Sequence, residues 1–120
     1  MLQHTKAFSG FSVDDLDRAE AFYGETLGLP VERNEMGMLT LGVGGGEGIL
    51  IYPKDDHVPA TFTILNFPVD DTEAAVDALT AKGVEFLRYD GTDDKGIQRG
   101  YGPVIAWFTD PAGNVLSVLS

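Results

Sequence analysis

Residues 11–15 read Phe-Ser-Val-Asp-Asp and residues 67–71 read Phe-Pro-Val-Asp-Asp, agreeing at four of five positions across an offset of 56 in a chain of 120 residues. Each copy leads into a stretch of helically spaced apolar residues that ends in a glycine, Gly28 in the first half and Gly83 in the second. One supersecondary unit used twice constrains architecture more tightly than any single propensity does. It also says where chemistry is expected. Equivalent positions of two copies should face a shared central cleft, so a functional site should appear as matched pairs of residues.

Working outward from the first copy, Phe11 and Val13 alternate with Gly10 and Ser12, which predicts a strand over residues 5–13. A helix over 15–27 follows. Asp14 is the expected N-cap, Asp17 suits the first turn, and Leu16, Ala19, Tyr23 and Leu27 recur at helical spacing until Gly28 stops it. Strands are expected at 31–35, 38–43 and 49–53, the last two joined by a hairpin turn at Gly44-Gly45-Gly46-Glu47-Gly48. Residues 54–59 read as a linker. The second half then repeats the order. A strand over 61–69 precedes a helix that Asp70 and Glu73 introduce with capping-box spacing and that carries Ala75, Val76 and Leu79. Strands are expected at 84–90, 104–109 and 115–119, with Asp110-Pro111-Ala112-Gly113-Asn114 turning the chain between the last two. The longest irregular stretch runs from Gly91 to Pro103, and long loops are often functional.

Composition narrows the function classes. The chain is expected to be one domain, with a first module over about 5–53 and a second over about 61–119. There is no cysteine, which excludes disulfides, thiolate metal sites and cysteine nucleophiles. A formal net charge of −11 argues against nucleic acid as a partner, because phosphates require a basic surface. That charge is read first as favouring solubility, with attraction of cationic ligands as the alternative. No apolar run approaches the ~20 residues of a membrane span, and residues 1–6 lack a signal-peptide core, so a cytoplasmic location without membrane contact is expected.

The β-α-β-β-β order run twice resembles the vicinal oxygen chelate superfamily, which includes glyoxalase I, the bleomycin-resistance proteins and the extradiol dioxygenases. The residues that carry the resemblance are Val13-Asp14-Asp15-Leu16, Ala21-Phe22-Tyr23 and Leu27-Gly28-Leu29 in the first half. In the second they are Val69-Asp70-Asp71, Lys82-Gly83-Val84 and Phe108-Thr109-Asp110-Pro111-Ala112-Gly113-Asn114. The resemblance implies an α+β fold of two βαβββ modules forming a curved mixed sheet around a central cup, in a homodimer.

Enzymes of that superfamily hold a divalent metal on His, Glu or Gln from four strands. Carried over strand by strand, those positions fall on Phe8, Ile64, Ser117 and, taking Gly48-Ile49-Leu50-Ile51 against Asn114-Val115-Leu116-Ser117, on Ile51. Hydrocarbon side chains cannot coordinate an ion and a serine hydroxyl does so poorly, so no metal and no other cofactor is expected. Of the two histidines, His4 lies four residues from Phe8, about 13 Å along a strand, and His57 reads as a solvated linker residue. Glu32, Glu35 and Glu47 read as surface charges, and residues 90–96 lack the glycine position and closing glutamate of a calcium loop. Neither a phosphate-binding loop nor a Gly-x-Ser-x-Gly elbow is present, and neither histidine has the sequence context of a Ser-His-Asp triad. An acid–base centre on Asp94, Arg99 or Tyr101 is weighed against surface salt bridging, the reading preferred for those residues.

Strand alternation predicts the lining of the cup. Phe8, Gly10 and Ser12 should face inward with Ile49, Ile51, Ile64 and Asn66, and a hairpin closed by residues 110–114 pairs Trp107 with Ser117 on the same face. The predicted ligand-binding residues are therefore Phe8, Ile51, Ile64, Asn66, Arg99, Trp107 and Ser117, mostly apolar and aromatic as small-molecule pockets are. The leading expectation is a metal-free small-molecule-binding protein resembling the bleomycin-resistance branch, for a cationic or aromatic ligand. The alternatives are a glyoxalase-like lyase or isomerase with a relocated metal or a metal-independent mechanism, and an interaction module without a ligand.

Overall fold

In a computed structural model describing residues 1–44 and 46–120, both copies of the repeated pentapeptide run from a strand into a helix. Gly45, in the expected 44–48 hairpin turn, lies outside the described residues. The second aspartate of each copy is the cap. Asp15 and Asp71 have extended backbones and accept the backbone N–H of Arg18 and Ala74, each at 3.1 Å. Asp14 and Asp70, the expected caps, stand one residue too early, because a capping oxygen serves an N–H two or three residues further on.

The first module comprises β1 (Ser9–Val13), α1 (Leu16–Ala21), β2 (Val31–Arg33), β3 (Leu39–Leu41) and β4 (Ile49–Pro53). Its sheet has the order β1-β4-β3-β2, with β1 parallel to β4 and the other pairs antiparallel. The second module comprises β5 (Thr63–Pro68), α2 (Thr72–Ala81), β6 (Ile97–Gln98), β7 (Ile105–Thr109) and β8 (Val115–Leu119), in the order β5-β8-β7-β6 with the same pattern of directions. This is the expected α+β arrangement of two βαβββ modules, each with an open curved sheet. The two compact units span Met1–Val58 and Pro59–Ser120, so the boundary falls inside the expected linker.

The helices stop where expected, by different routes. Gly28 and Gly83 have φ of 73° and 92°, the left-handed conformation that a side chain would disfavour. In α2 the ending is tight: Val84 N–H donates to the Leu79 carbonyl and Gly83 N–H to that of Thr80, both at 3.0 Å. In the first module α1 passes into a π-helical turn over Phe22–Thr26, closed by Leu27 N–H on the Phe22 carbonyl at 2.9 Å. The interval from cap to glycine is one residue longer there, and a π turn absorbs one extra residue.

Register assigns the faces. In the first module Ile51 lies opposite Phe11 on one side and Leu39 on the other. Val13, Leu39, Leu41 and Ile51 are fully buried together with Tyr23, whose ring centroid is 5.8 Å from that of Phe11. In the second module Ala106, Phe108, Leu116 and Val118 form the matching core with Val76 of α2. Burying each large side chain of this kind contributes about 1.5–3 kcal/mol. The faces turned away from the helices carry two cross-strand rows, Gly10–Leu50–Thr40 and Asn66–Ser117–Trp107. A Cβ added to Gly10 would stand 3.1 Å from the Leu50 carbonyl oxygen, so the strands approach closely at that point.

The strand expected at 84–90 is the main departure. Only Phe86 bridges β7, at Phe108, and Leu87 N–H donates to the Trp107 carbonyl at 2.8 Å. The chain then turns back. Thr92 Oγ1 donates to the Tyr89 carbonyl at 2.8 Å, and Asp93 Oδ1 accepts the backbone N–H of Lys95 and Ile97, each at 2.9 Å. That folding delivers Ile97 into the core and lets β6 pair with the remainder of the β7 edge. The predicted 110–114 turn forms as expected, with Asp110 Oδ1 accepting the backbone N–H of Ala112 at 3.0 Å and of Asn114 at 2.8 Å.

Candidate functional site

Pairing across the parallel strands corrects one equivalence. Gly10 pairs with Leu50 and Asn66 with Ser117, and Gly10 and Asn66 are related by the repeat offset. The counterpart of Ser117 is therefore Leu50, not Ile51, and the counterpart of Trp107 is Thr40. Ile51 does not share a face with Phe8, Gly10 and Ser12. It is fully buried against the helix side of its sheet. Counting from the turn misplaced it by one residue, and one residue in a strand changes the face.

In the second module three predicted residues come together. Ser117 is fully buried in the centre of the row, and its hydroxyl donates to Asn66 Oδ1 at 2.5 Å. That bond fixes the Asn66 amide and leaves the two N–H donors of Nδ2 for an acceptor. Trp107 lies across β8 from Asn66, paired with Ser117 as the hairpin register predicted. Its ring centroid is 5.4 Å from that of Tyr89, at 84°, the edge-to-face geometry aromatic quadrupoles favour. Tyr89 is half-exposed and held by its backbone N–H on Thr92 Oγ1 at 3.0 Å. Sequence reasoning missed it. The available signal was its odd spacing from Phe86: Phe86 touches Phe108 in the core, so Tyr89, three residues on, turns to the other face. β1 and β3 to β8 contain no charged residue, so this surface is aromatic, amide and hydroxyl in character.

The other predicted residues lie elsewhere. Arg99 joins an ion-pair network on the α2 side, bonded to Asp93 and, at 2.7 Å, to Glu73, while Lys95 bridges Glu73 and Asp77. The bond to Asp93 raises the Arg99 pKa above its ordinary value. Arg99 therefore follows the surface salt-bridge reading and does not join the Trp107 row. Ile64 is the extra residue of a bulge between Thr63 and Leu65, where Thr63 takes the pairing with Val115. Phe8 stands just before β1, 62% exposed, and with Thr40, Glu47, Ile49 and Leu50 lines a depression of about 180 Å³ on the first module.

The first module also holds an arrangement that the sequence did not signal. Ser12 Oγ and His57 Nδ1 are hydrogen-bonded at 2.6 Å, both side chains half-buried. His57 is thus tied to β1 instead of standing free in the linker. The bond joins residues 45 apart in the chain, which no local pattern reports.

The residues at the expected ligand positions do not fit a divalent metal. Phe8, Ile64 and Leu50 offer no donor atom, and the Ser117 hydroxyl is engaged by Asn66. Among the described residues no three His, Cys, Asp or Glu side chains group to hold an ion, and no helix is long and apolar enough to cross a membrane.

Similar proteins share this architecture. A glyoxalase/bleomycin resistance protein/dioxygenase superfamily member from Sphaerobacter thermophilus is 22% identical, with a TM-score of 0.72 over 96% of this chain and 97% of its own. A glyoxalase family protein from Enterococcus faecalis is 22% identical, with a TM-score of 0.68 over 100% of both chains. A hypothetical protein from S. aureus is 18% identical, with a TM-score of 0.71 over 98% of this chain and 97% of its own. No curated protein matches the chain significantly. The sequence profile of a superfamily whose members bind small molecules matches residues 2–118. The chain belongs to the glyoxalase/bleomycin resistance protein/dioxygenase superfamily.

Proposed function

We propose that the chain is a metal-free binding protein for a small aromatic molecule, which it contacts through Asn66, Trp107 and Tyr89 with Ser117 behind them. One observation carries this reading. In an uncharged sheet face, an amide oriented by a buried hydroxyl lies one strand across from an edge-to-face aromatic pair. Large aromatic surfaces with a few placed polar groups are what small-molecule sites are made of. Aromatic stacking supplies the affinity, and the Asn66 amide selects a ligand with a hydrogen-bond acceptor. The net charge of −11 adds a longer-range preference for cationic compounds. The metal-free part of the reading is supported by the hydrocarbon side chains at three of the superfamily's ligand positions and a serine engaged by Asn66 at the fourth. The reading includes a two-fold homodimer in the cytoplasm.

Trp107 is the only tryptophan and reports on its own surroundings. Titration with a panel of neutral, cationic and anionic aromatic compounds should change its fluorescence, and Asn66→Leu should weaken binding of the best compound at least tenfold. Unchanged affinity in Asn66→Leu places the site elsewhere. Elemental analysis after dialysis should find no stoichiometric metal; about one equivalent of zinc, nickel, iron or manganese per chain overturns the metal-free part. Sedimentation should give about twice the 12.9 kDa chain mass, and a monomer at micromolar concentration refutes the dimer.

A further inference from the structure

We propose that Ser12 and His57 form a separate nucleophilic site on the first module, which takes esters of apolar carboxylic acids. The 2.6 Å between Ser12 Oγ and His57 Nδ1 is proton-transfer distance, the relation by which an imidazole activates a hydroxyl. The imidazole is delivered by a turn built on the serine's own strand. Lys54 N–H donates to the carbonyl of Val13, the residue after Ser12, at 3.0 Å, and His57 N–H donates to the Lys54 carbonyl at 3.1 Å. Nucleophile and base are therefore positioned by one continuous backbone network.

An apolar surface lies along the same face. Gly10, two residues before Ser12, pairs with Leu50, and Leu50 lines the depression of about 180 Å³ with Phe8, Ile49, Thr40 and Glu47. Two residues of strand span about 6.6 Å, so an acyl chain resting on Leu50 and Phe8 has its carbonyl within reach of Ser12. Glu47 at the same depression disfavours carboxylates, which selects the neutral ester over its acid product.

In the first step His57 Nδ1 takes the Ser12 proton as Oγ bonds to the carbonyl carbon. Collapse of the tetrahedral adduct breaks the bond to the alkoxy group, which leaves as the alcohol with the proton from His57. Water, deprotonated by His57, then attacks the acyl carbon. The acyl–Oγ bond breaks, the carboxylic acid departs, and Ser12 recovers its proton.

The test uses the whole chain with 4-nitrophenyl butyrate as substrate and an alkyl fluorophosphonate as covalent probe, followed by peptide mapping. One probe per chain on Ser12 is expected, with labelling and 4-nitrophenolate release both lost in Ser12→Ala and reduced at least tenfold in His57→Gln. No adduct on Ser12, or labelling at an unchanged rate in His57→Gln, overturns the proposal. If His57→Gln fails to fold, acylation of the wild-type histidines with diethyl pyrocarbonate serves instead. It should block labelling, and labelling that survives full modification also overturns the proposal.

Discussion

In the first module the row Gly10–Leu50–Thr40 crosses the sheet face away from the helix; in the second the corresponding row is Asn66–Ser117–Trp107. The backbone pairing is the same, and so is the apolar character of the opposite face, where Leu41 and Ile51 correspond to Phe108 and Val118. Core positions are held apolar by burial, since a polar group there needs a partner. On the other face polar side chains are accommodated, and the one that is fully buried, Ser117, has its partner in Asn66. One copy carries small and aliphatic side chains in this row, while the other carries an oriented amide and an aromatic pair. Likeness between the copies therefore marks what folds the chain, and difference marks where the two sheet faces offer different chemistry.

The largest test of that comparison concerns the shared cores. Phe108→Ala should cost about 3–5 kcal/mol and Leu41→Ala about 2–5 kcal/mol in urea unfolding. A cost below about 1 kcal/mol for either would mean that the face assignment fails for that module. Next comes the divergent face. Trp107→Ala should weaken ligand binding at least tenfold by calorimetry, whereas Thr40→Ala, its counterpart, should change it less than twofold. Equal losses would mean that both modules contact the ligand.

Smaller effects probe the shared helix starts. Asp15→Ala and Asp71→Ala should each cost about 1 kcal/mol, and Asp14→Ala and Asp70→Ala should stay within about 0.5 kcal/mol. A reversed order would reassign the caps. The smallest effect belongs to the second module alone. Asp93 is held below its ordinary pKa of 3.8, first by the Ile97 backbone N–H and also by Arg99 and the Lys95 N–H, against an opposing desolvation cost. A depressed folded pKa gives stability that is present above pH 3.8 and lost as pH falls through the lower folded value. Asp93→Asn should therefore flatten the acid limb of the stability profile below that pH, and an unchanged limb would remove Asp93 from the account.

The repeat, the glycine stops and the Trp107–Ser117 pairing were legible because each rests on residues close in sequence or on a five-residue turn. The displacement of Ile51 was not. Its face is set by pairing with Phe11, some 40 residues away, and counting from Gly48 assumed that both modules leave their turns alike. The two-residue β6 was hidden because Gly96-Ile97-Gln98-Arg99-Gly100 contains a single large apolar residue, too few to show a period. Arg99 was grouped with the site from its loop alone, and its partners Glu73 and Asp93 become neighbours only when the loop folds onto α2. Ser12 and His57 meet for the same kind of reason, through a turn closed on the end of β1.

The close approach at Gly10 limits how this protein can change. Copying the second module's chemistry into the first would start with Gly10→Asn, and the new Cβ would press on the Leu50 carbonyl oxygen, a main-chain atom that no side-chain exchange at position 50 removes. Asparagine at position 10 therefore requires the neighbouring strand to give by a few tenths of an ångström. The two positions differ in what an exchange disturbs: asparagine to glycine at position 66 removes the acceptor of the buried Ser117 hydroxyl, and glycine to asparagine at position 10 presses on main chain.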